Sequence, residues 1–233
     1  SSYTVKLLVE FSLSLELVKI VPNSDPNAYV LGKTGYFLLN DELTKANMNF
    51  MNDVCYQGLF YLQDSLRTGK PAGLKVFGDW DTIYQGLSSL PEQVQKSWFA
   101  FDHYYSDSIF DAALPIVFKE KPRHIMDIGS NTGKFTKAAL SYNNQVLVTM
   151  VDLPQQIAMA QKNPDLFGFK DRIEIFPTNI LNAGEELPSN VDTVWMSQFL
   201  DCFSLDEVQR ILRKIKKYVP SHCNIFVLEP LWD

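Results

Sequence analysis

His124-Ile125-Met126-Asp127-Ile128-Gly129-Ser130-Asn131-Thr132-Gly133-Lys134-Phe135 is the stretch on which the fold turns. A β-rich run at 124–128 ends in a turn built on two glycines, and a helical pattern follows from 133 to 140. A glycine-bearing turn between strand and helix lets a ligand approach backbone N–H groups at the helix N-terminus. Dinucleotide sites use the spacing G-x-G-x-x-G and keep the strand end apolar. Here the glycines are spaced G-x-x-x-G, and Asp127 lies two residues before the first. A carboxylate there repels a diphosphate and suits a cationic group, such as the ammonium of an amino acid.

Working outward, the next β-rich run, 146–151, ends Val151-Asp152-Leu153, with Asp152 nineteen residues after Gly133. A carboxylate at that strand tip can accept hydrogen bonds from both hydroxyls of a ribose. The alternative is that Asp152 caps the helix opened by Pro154. We favour the ribose, because the turn and the acid occur together at this separation. Further strands are expected at 172–176, 191–196 and 224–228, and Ser204 with Glu207 reads as a capping box for a helix reaching about 218. Strands alternating with helices predict an α/β, Rossmann-like, doubly wound and mostly parallel sheet over 120–233. The strands are almost purely apolar, as expected when both faces are covered. The last strands of such a domain would fall beyond Asp233, so the domain is expected to be incomplete at that end.

Residues 1–119 read differently. A helix at 4–13 precedes two short strands, 15–21 and 28–31, joined by the turn formers of 22–27. Helices follow at 41–66, 91–104 and 106–117, with a turn at Arg67-Thr68-Gly69-Lys70-Pro71. A helix followed by a β-ribbon is the outline of a winged helix. DNA binding needs surplus cations, but Lys6, Lys19 and Lys33 are offset by Glu10, Glu16 and Asp25. A packing or dimerisation role is the better reading. The aromatic cluster Trp98, Phe99, Phe101, Tyr104 and Tyr105 is expected to be mostly core, with some rings available to wall a substrate pocket.

Composition supports this outline. The 233 residues are 46% hydrophobic and 13% aromatic, with a net charge of -6. That is enough for a real core, and it disfavours a nucleic-acid or anionic-membrane partner. Cys55, Cys202 and Cys223 are odd in number and scattered, without disulfide or metal-ligand spacing. No metal site and a reducing, cytoplasmic setting are expected. The apolar stretch 5–21 is broken by Lys6, Glu10, Glu16 and Lys19, so it is amphipathic rather than a leader. No run is long enough to span a bilayer. The chain starts without Met and stops directly after a strand, which suggests a fragment.

Three segments carry a family resemblance: Asp127-Ile128-Gly129-Ser130-Asn131-Thr132-Gly133, Val151-Asp152-Leu153-Pro154, and Trp195-Met196-Ser197-Gln198-Phe199-Leu200-Asp201-Cys202-Phe203-Ser204. They resemble the class I S-adenosylmethionine-dependent O-methyltransferases. The nearest group is the one with an N-terminal winged-helix dimerisation domain, which includes caffeate, hydroxyindole and polyketide O-methyltransferases. Residues 28–35 resemble that group's wing, and residues 65–71 its interdomain helix end. The resemblance implies a homodimer acting on a small-molecule hydroxyl, with S-adenosylmethionine as cofactor. Gly129, Gly133 and the backbone of Ser130 and Asn131 would line the methionine part. Asp152 would hold the ribose, Leu153 would pack on the adenine, and Asn179 and Ile180 would flank it. Ser106 would approach the cofactor's carboxylate, and Ser197 and Gln198 would face the methyl donor.

The pattern is broken at three places. Asn131 replaces the usual middle glycine, and asparagine tolerates left-handed backbone. Asn179 replaces an acid but still hydrogen-bonds. Asp201 stands where the family's general base is a histidine. An ordinary Asp (pKa about 3.9) is mismatched to a phenol (about 10) by about 6 units, near 8 kcal/mol, against about 3.5 units for His. Asp201 would need its pKa raised by burial or a neighbouring carboxylate. Otherwise the acceptor must be acidic or need no base, since in-line positioning alone lowers much of the barrier. His103 is a second base candidate. His124 and His222 begin strands, at the wrong end of a sheet for ligands, whereas Glu229 closes the fifth strand at the ligand edge. Three other readings stay open: a cofactor-binding protein without methyl transfer, a nicotinamide oxidoreductase, and a winged-helix transcription factor.

Overall fold

The computed structural model describes residues 1–23 and 28–229. The rest of the turn expected at 22–27, with the charge of Asp25, lies outside the described residues, as do residues 230–233. The chain divides into two compact units, Ser1–Tyr104 and Tyr105–Asp233.

In the first unit, Ser1 caps the helix Ser2–Ser14 by accepting from the Thr4 amide. Strands β1 (Val18–Ile20) and β2 (Tyr29–Leu31) pair antiparallel, followed by helices Lys33–Asn40 and Glu42–Phe50. The single helix expected over 41–66 is not continuous. It passes into a π-helical segment, Met51–Cys55, and a 3₁₀ turn, Gly58–Tyr61, before helix Leu62–Thr68. Two tertiary contacts accompany the breaks. Asp53 accepts hydrogen bonds from Gln93 (2.9 Å) and Ser97 (2.5 Å). The backbone at Gly58 lies so close to Gly73 that a Cβ on Gly73 would meet the Gly58 carbonyl oxygen at 2.7 Å. Conversely, the two helices expected at 91–104 and 106–117 form one, Glu92–Lys119. Neither Gly nor Pro stands near residue 105 to interrupt it. Trp98 and Phe101 do join core packing, both against Phe50, while Tyr104 and Tyr105 stay exposed.

The second unit carries a five-stranded parallel sheet, in the order β5 (Ile173–Pro177), β4 (Leu147–Asp152), β3 (His124–Ile128), β6 (Thr193–Ser197), β7 (Asn224–Leu228). Alternation along each strand splits the core in two. Ile125, Val148 and Trp195 face Phe110, Leu114, Phe135 and Leu140. Met126, Ile128, Val194 and Met196 face Ile211 and Ile215 of the helix Leu205–Tyr218. Phe135 stacks on Trp195 at 4.1 Å and 7°. The capping box is formed: Ser204 accepts from the Glu207 amide, and the Glu207 carboxylate accepts from the Ser204 amide.

The central strands are sealed on both faces, as expected, but the two edge strands are not. Ile175 of β5 and Ile225 and Val227 of β7 are exposed. Strand order reverses beside β3, since β4 and β5 run out to one side and β6 and β7 to the other. In a doubly wound sheet the crevice forms there, beyond the carboxyl ends of the strands.

Candidate functional site

The chain leaves β3 at Ile128 and turns through three left-handed residues, Gly129 (φ 76°), Asn131 (φ 49°) and Gly133 (φ 81°). Glycine enters this region freely and asparagine more readily than most residues, so the Asn131 replacement fits its position. The Gly129 amide donates to the Val151 carbonyl at 2.9 Å, and the Gly133 amide to the Ser130 carbonyl at 2.8 Å. Helix Lys134–Tyr142 starts directly after.

Both acids meet this turn. Asp152 Oδ2 accepts from the Asn131 amide at 2.8 Å, and Oδ1 from the Leu153 amide at 2.7 Å. The residue at the N-cap of helix Pro154–Ala160 is Leu153, which makes no side-chain cap. Asp152 is therefore bound to the turn and does not cap the helix, so the alternative reading of this residue falls. Asp127 is 2% exposed and accepts from the Thr136 hydroxyl at 2.6 Å. Burial raises its pKa to about 7, opposed by the Thr136 hydrogen bond and reinforced by the charge of Asp152. Burial likewise lifts Asp152 to about 6, against the pull of the Asn131 and Leu153 amides. Two carboxyl groups held in apolar surroundings, without a cation among their hydrogen-bond partners, are poised for a cationic or hydroxyl-bearing ligand.

β6 ends at the same edge. Its Ser197 hydroxyl, like that of Ser130 in the turn, is buried without a hydrogen-bond partner in the protein, so each is available to a water or a ligand. Gln198 takes a left-handed backbone (φ 46°). A 3₁₀ turn, Leu200–Cys202, then presents Asp201 to solvent. Its carboxylate accepts a hydrogen bond from the Cys202 thiol at 3.4 Å. Glu229 lies directly behind. Its Oε1 accepts from the amides of Phe199 (2.9 Å) and Leu200 (2.7 Å), while Oε2 is buried and unpartnered. Burial, with some help from Asp201, holds its carboxyl above the usual range.

The remaining expected residues divide. Leu153 is half-buried beside Asp152, and Asn179 is exposed, its side chain accepting from the Leu181 amide at 3.0 Å. Ile180 is packed in the core with Met126 and Ile128, leaving only its backbone for a ligand. Ser106 is buried and donates to Asp107 at 3.1 Å. His103 belongs to the first unit, where it stacks on Phe99 at 5.8 Å. His124 and His222 line an open cleft of about 390 Å³ at the opposite end of the strands, with Arg123 and Asp192. Sequence reasoning missed Thr136, whose contact with Asp127 depends on the helix's rotation. It also missed Phe199, whose ring rests on Gly129.

Among the described residues, no group of three or more His, Cys, Asp or Glu could hold a metal ion, and no helix is long and apolar enough to cross a membrane. The three cysteines are free thiols.

The chain is similar to several known proteins. The chain is 21% identical over 188 residues to an L-tyrosine C(3)-methyltransferase of Streptomyces lavendulae, covering 80% of this chain and 50% of that protein. The chain thus spans about half the length of the curated relative. Among solved structures, mitomycin 7-O-methyltransferase MmcR superposes with a TM-score of 0.78 at 19% identity, over 100% of this chain and 67% of that one. The O-methyltransferase NcsB1 of neocarzinostatin biosynthesis, solved with S-adenosylmethionine and 2-hydroxy-5-methyl naphthoic acid, gives 0.75 at 18% identity, over 98% and 69%. The family model for the O-methyltransferase domain matches residues 61–233, about three quarters of the sequence, and the chain belongs to that family.

Proposed function

We propose that this chain is an S-adenosylmethionine-dependent methyltransferase of small molecules, acting on a hydroxyl. The observation that carries the reading is the Asp152 carboxylate joined to the Asn131 amide, with Asp127 sealed two residues before the first glycine of the same turn. The orphaned hydroxyls of Ser130 and Ser197 at that edge fit a polar ligand laid across it. When bound, S-adenosylmethionine supplies an electrophilic methyl group on a sulfonium. Asp152 would accept from the ribose hydroxyls. The amides and hydroxyls at Gly129, Ser130, Asn131 and Gly133 would hold the amino-acid end, with Ser106 as a further donor. Leu153, Asn179 and the backbone at Ile180 would flank the adenine. Ser197 and Gln198 would face the reacting centre.

The proton of the acceptor is the open term in the chemistry. Asp201 is exposed, and no imidazole stands in its place. The acceptor we infer is therefore an acidic hydroxyl, or one already ionised in solution, so that positioning rather than base strength does the catalytic work. His103 is the alternative proton acceptor. The first unit would serve as a winged-helix-like dimerisation arm, and residues 1–119 and 120–233 as the functional domains. Supporting this, no residue of helix Ser2–Ser14 is buried, and Leu8, Phe11, Phe37, Leu59 and Phe60 are exposed, as in a surface awaiting a second copy. With Lys6 paired to Glu10 at 3.7 Å, this unit offers little to nucleic acid. A cytoplasmic setting is in keeping with the free thiols. Calorimetric titration with S-adenosylmethionine and S-adenosylhomocysteine tests the proposal; absence of heat at millimolar ligand would refute it.

A further inference from the structure

The loop after β6 lays an aromatic ring on the first glycine of the turn. A Cβ built on Gly129 would meet Phe199 Cδ2 at 2.4 Å and Cγ at 3.0 Å, so the ring takes the space a side chain at 129 would fill. Three contacts hold it there. The ring packs edge-on against Phe203 (5.0 Å, 66°), the Phe199 amide donates to Glu229 Oε1 at 2.9 Å, and the neighbouring Leu200 amide shares that oxygen. The left-handed Gln198 aims the segment. Yet Phe199 is only partly buried. It packs against the core cluster of Met126, Ile128 and Met196 and keeps partial exposure as a residue.

We propose that Phe199 is a specificity-determining residue that offers its π face to the cofactor's sulfonium, so that the protein separates the charged methyl donor from the neutral thioether product. The inference rests on the reading of the Gly129–Gly133 turn as the cofactor's seat. A trialkylsulfonium has no N–H or O–H, so hydrogen-bond acceptors cannot recognise it specifically. An aromatic face attracts such a cation within about 6 Å of the ring centre, more strongly when water is excluded. The ring touches Gly129, so a ligand lying on this turn comes within that range. Losing the methyl group removes the charge, and with it the attraction, which favours product release.

The test is calorimetric titration of the wild type, Phe199→Leu, Phe199→Tyr and a protein carrying 3,4,5-trifluorophenylalanine at position 199, each with S-adenosylmethionine and with S-adenosylhomocysteine. Leucine keeps apolar bulk without a π face. The fluorinated ring keeps the shape with its negative face drained, and so reports on the π system even where leucine disturbs the turn. The expected result is a roughly 3- to 30-fold weakening for S-adenosylmethionine in the Leu and fluorinated proteins. S-adenosylhomocysteine should change less than about twofold on the same grounds, and Tyr should keep the wild-type ratio. Equal weakening of both ligands, or equal tightening because the ring obstructs the site, would overturn the role of Phe199 while leaving the seat intact. A wild type that binds neither ligand would overturn the seat, and this inference with it.

Discussion

Replacing Asp127 by Asn should make the ligand-free protein more stable at alkaline pH and leave it almost unchanged in acid. Asp127 is an acid whose pKa in the folded chain stands at about 7, raised by burial from 3.8. Below the lower value both folded and unfolded chains hold the proton, and the group costs nothing. As pH rises from 4 towards 7, the unfolded chain releases its proton while the folded chain retains it, so stability falls; above 7 the loss is constant. A gap of about 3 units at 1.36 kcal/mol each gives about 4 kcal/mol as the full cost, roughly 2–3 of it developing between pH 5 and 8. Asparagine has nearly the same shape, keeps an oxygen for the Thr136 hydroxyl and carries no charge. Urea unfolding of both proteins at pH 5, 6, 7 and 8 should therefore show a stability difference that widens with pH in favour of Asp127→Asn. A difference that does not vary with pH would refute the reasoning, because it would mean that Asp127 is ionised or solvated in the fold.

Other consequences follow from the same geometry. Asp152→Ala should remove the acceptor offered to a ribose and weaken S-adenosylhomocysteine binding at least about tenfold by calorimetry, the loss expected for charge-assisted hydrogen bonds. Gly129→Ala meets both a left-handed backbone and the Phe199 ring and should cost about 2–4 kcal/mol in urea unfolding. The double variant with Phe199→Ala should recover the steric part but not the backbone part, giving a non-additive cycle. Asp201→His should raise kcat on a weakly acidic phenol by about 10²-fold or more near pH 7.5, the scale of general-base catalysis, with KM nearly unchanged. An unaltered rate would remove Asp201 from the reacting centre.

The parts of the site that were legible in the sequence are those fixed by local chemistry. A strand running into Gly129 and Gly133, an acid next to the end of β3 and another closing β4, and Pro154 opening the next helix are each written in neighbouring residues. The same holds for the box of Ser204 and Glu207, where two side chains three apart satisfy each other's amides. What could not be read depends on approach from elsewhere. The break at Met51–Cys55 accompanies the hydrogen bonds from Gln93 and Ser97 to Asp53, some forty residues away in sequence. The exposure of Ile225 and Val227 is likewise not stated by an apolar pattern. The second glycine is also a packing requirement: a Cβ on Gly133 would strike Leu166 Cδ1 at 2.6 Å. Asp201 was legible only as a departure; that it faces water rather than an enclosing wall came from the 3₁₀ turn carrying it.

The most direct test of the cofactor seat is a crystal structure of the protein grown with S-adenosylhomocysteine. The ribose hydroxyls should lie within hydrogen-bond distance of the Asp152 carboxylate, and the amino-acid end against the turn that follows Asp127. Density for the nucleoside anywhere else, or Asp152 still bound only to the Asn131 and Leu153 amides with the ligand remote from it, would contradict the account.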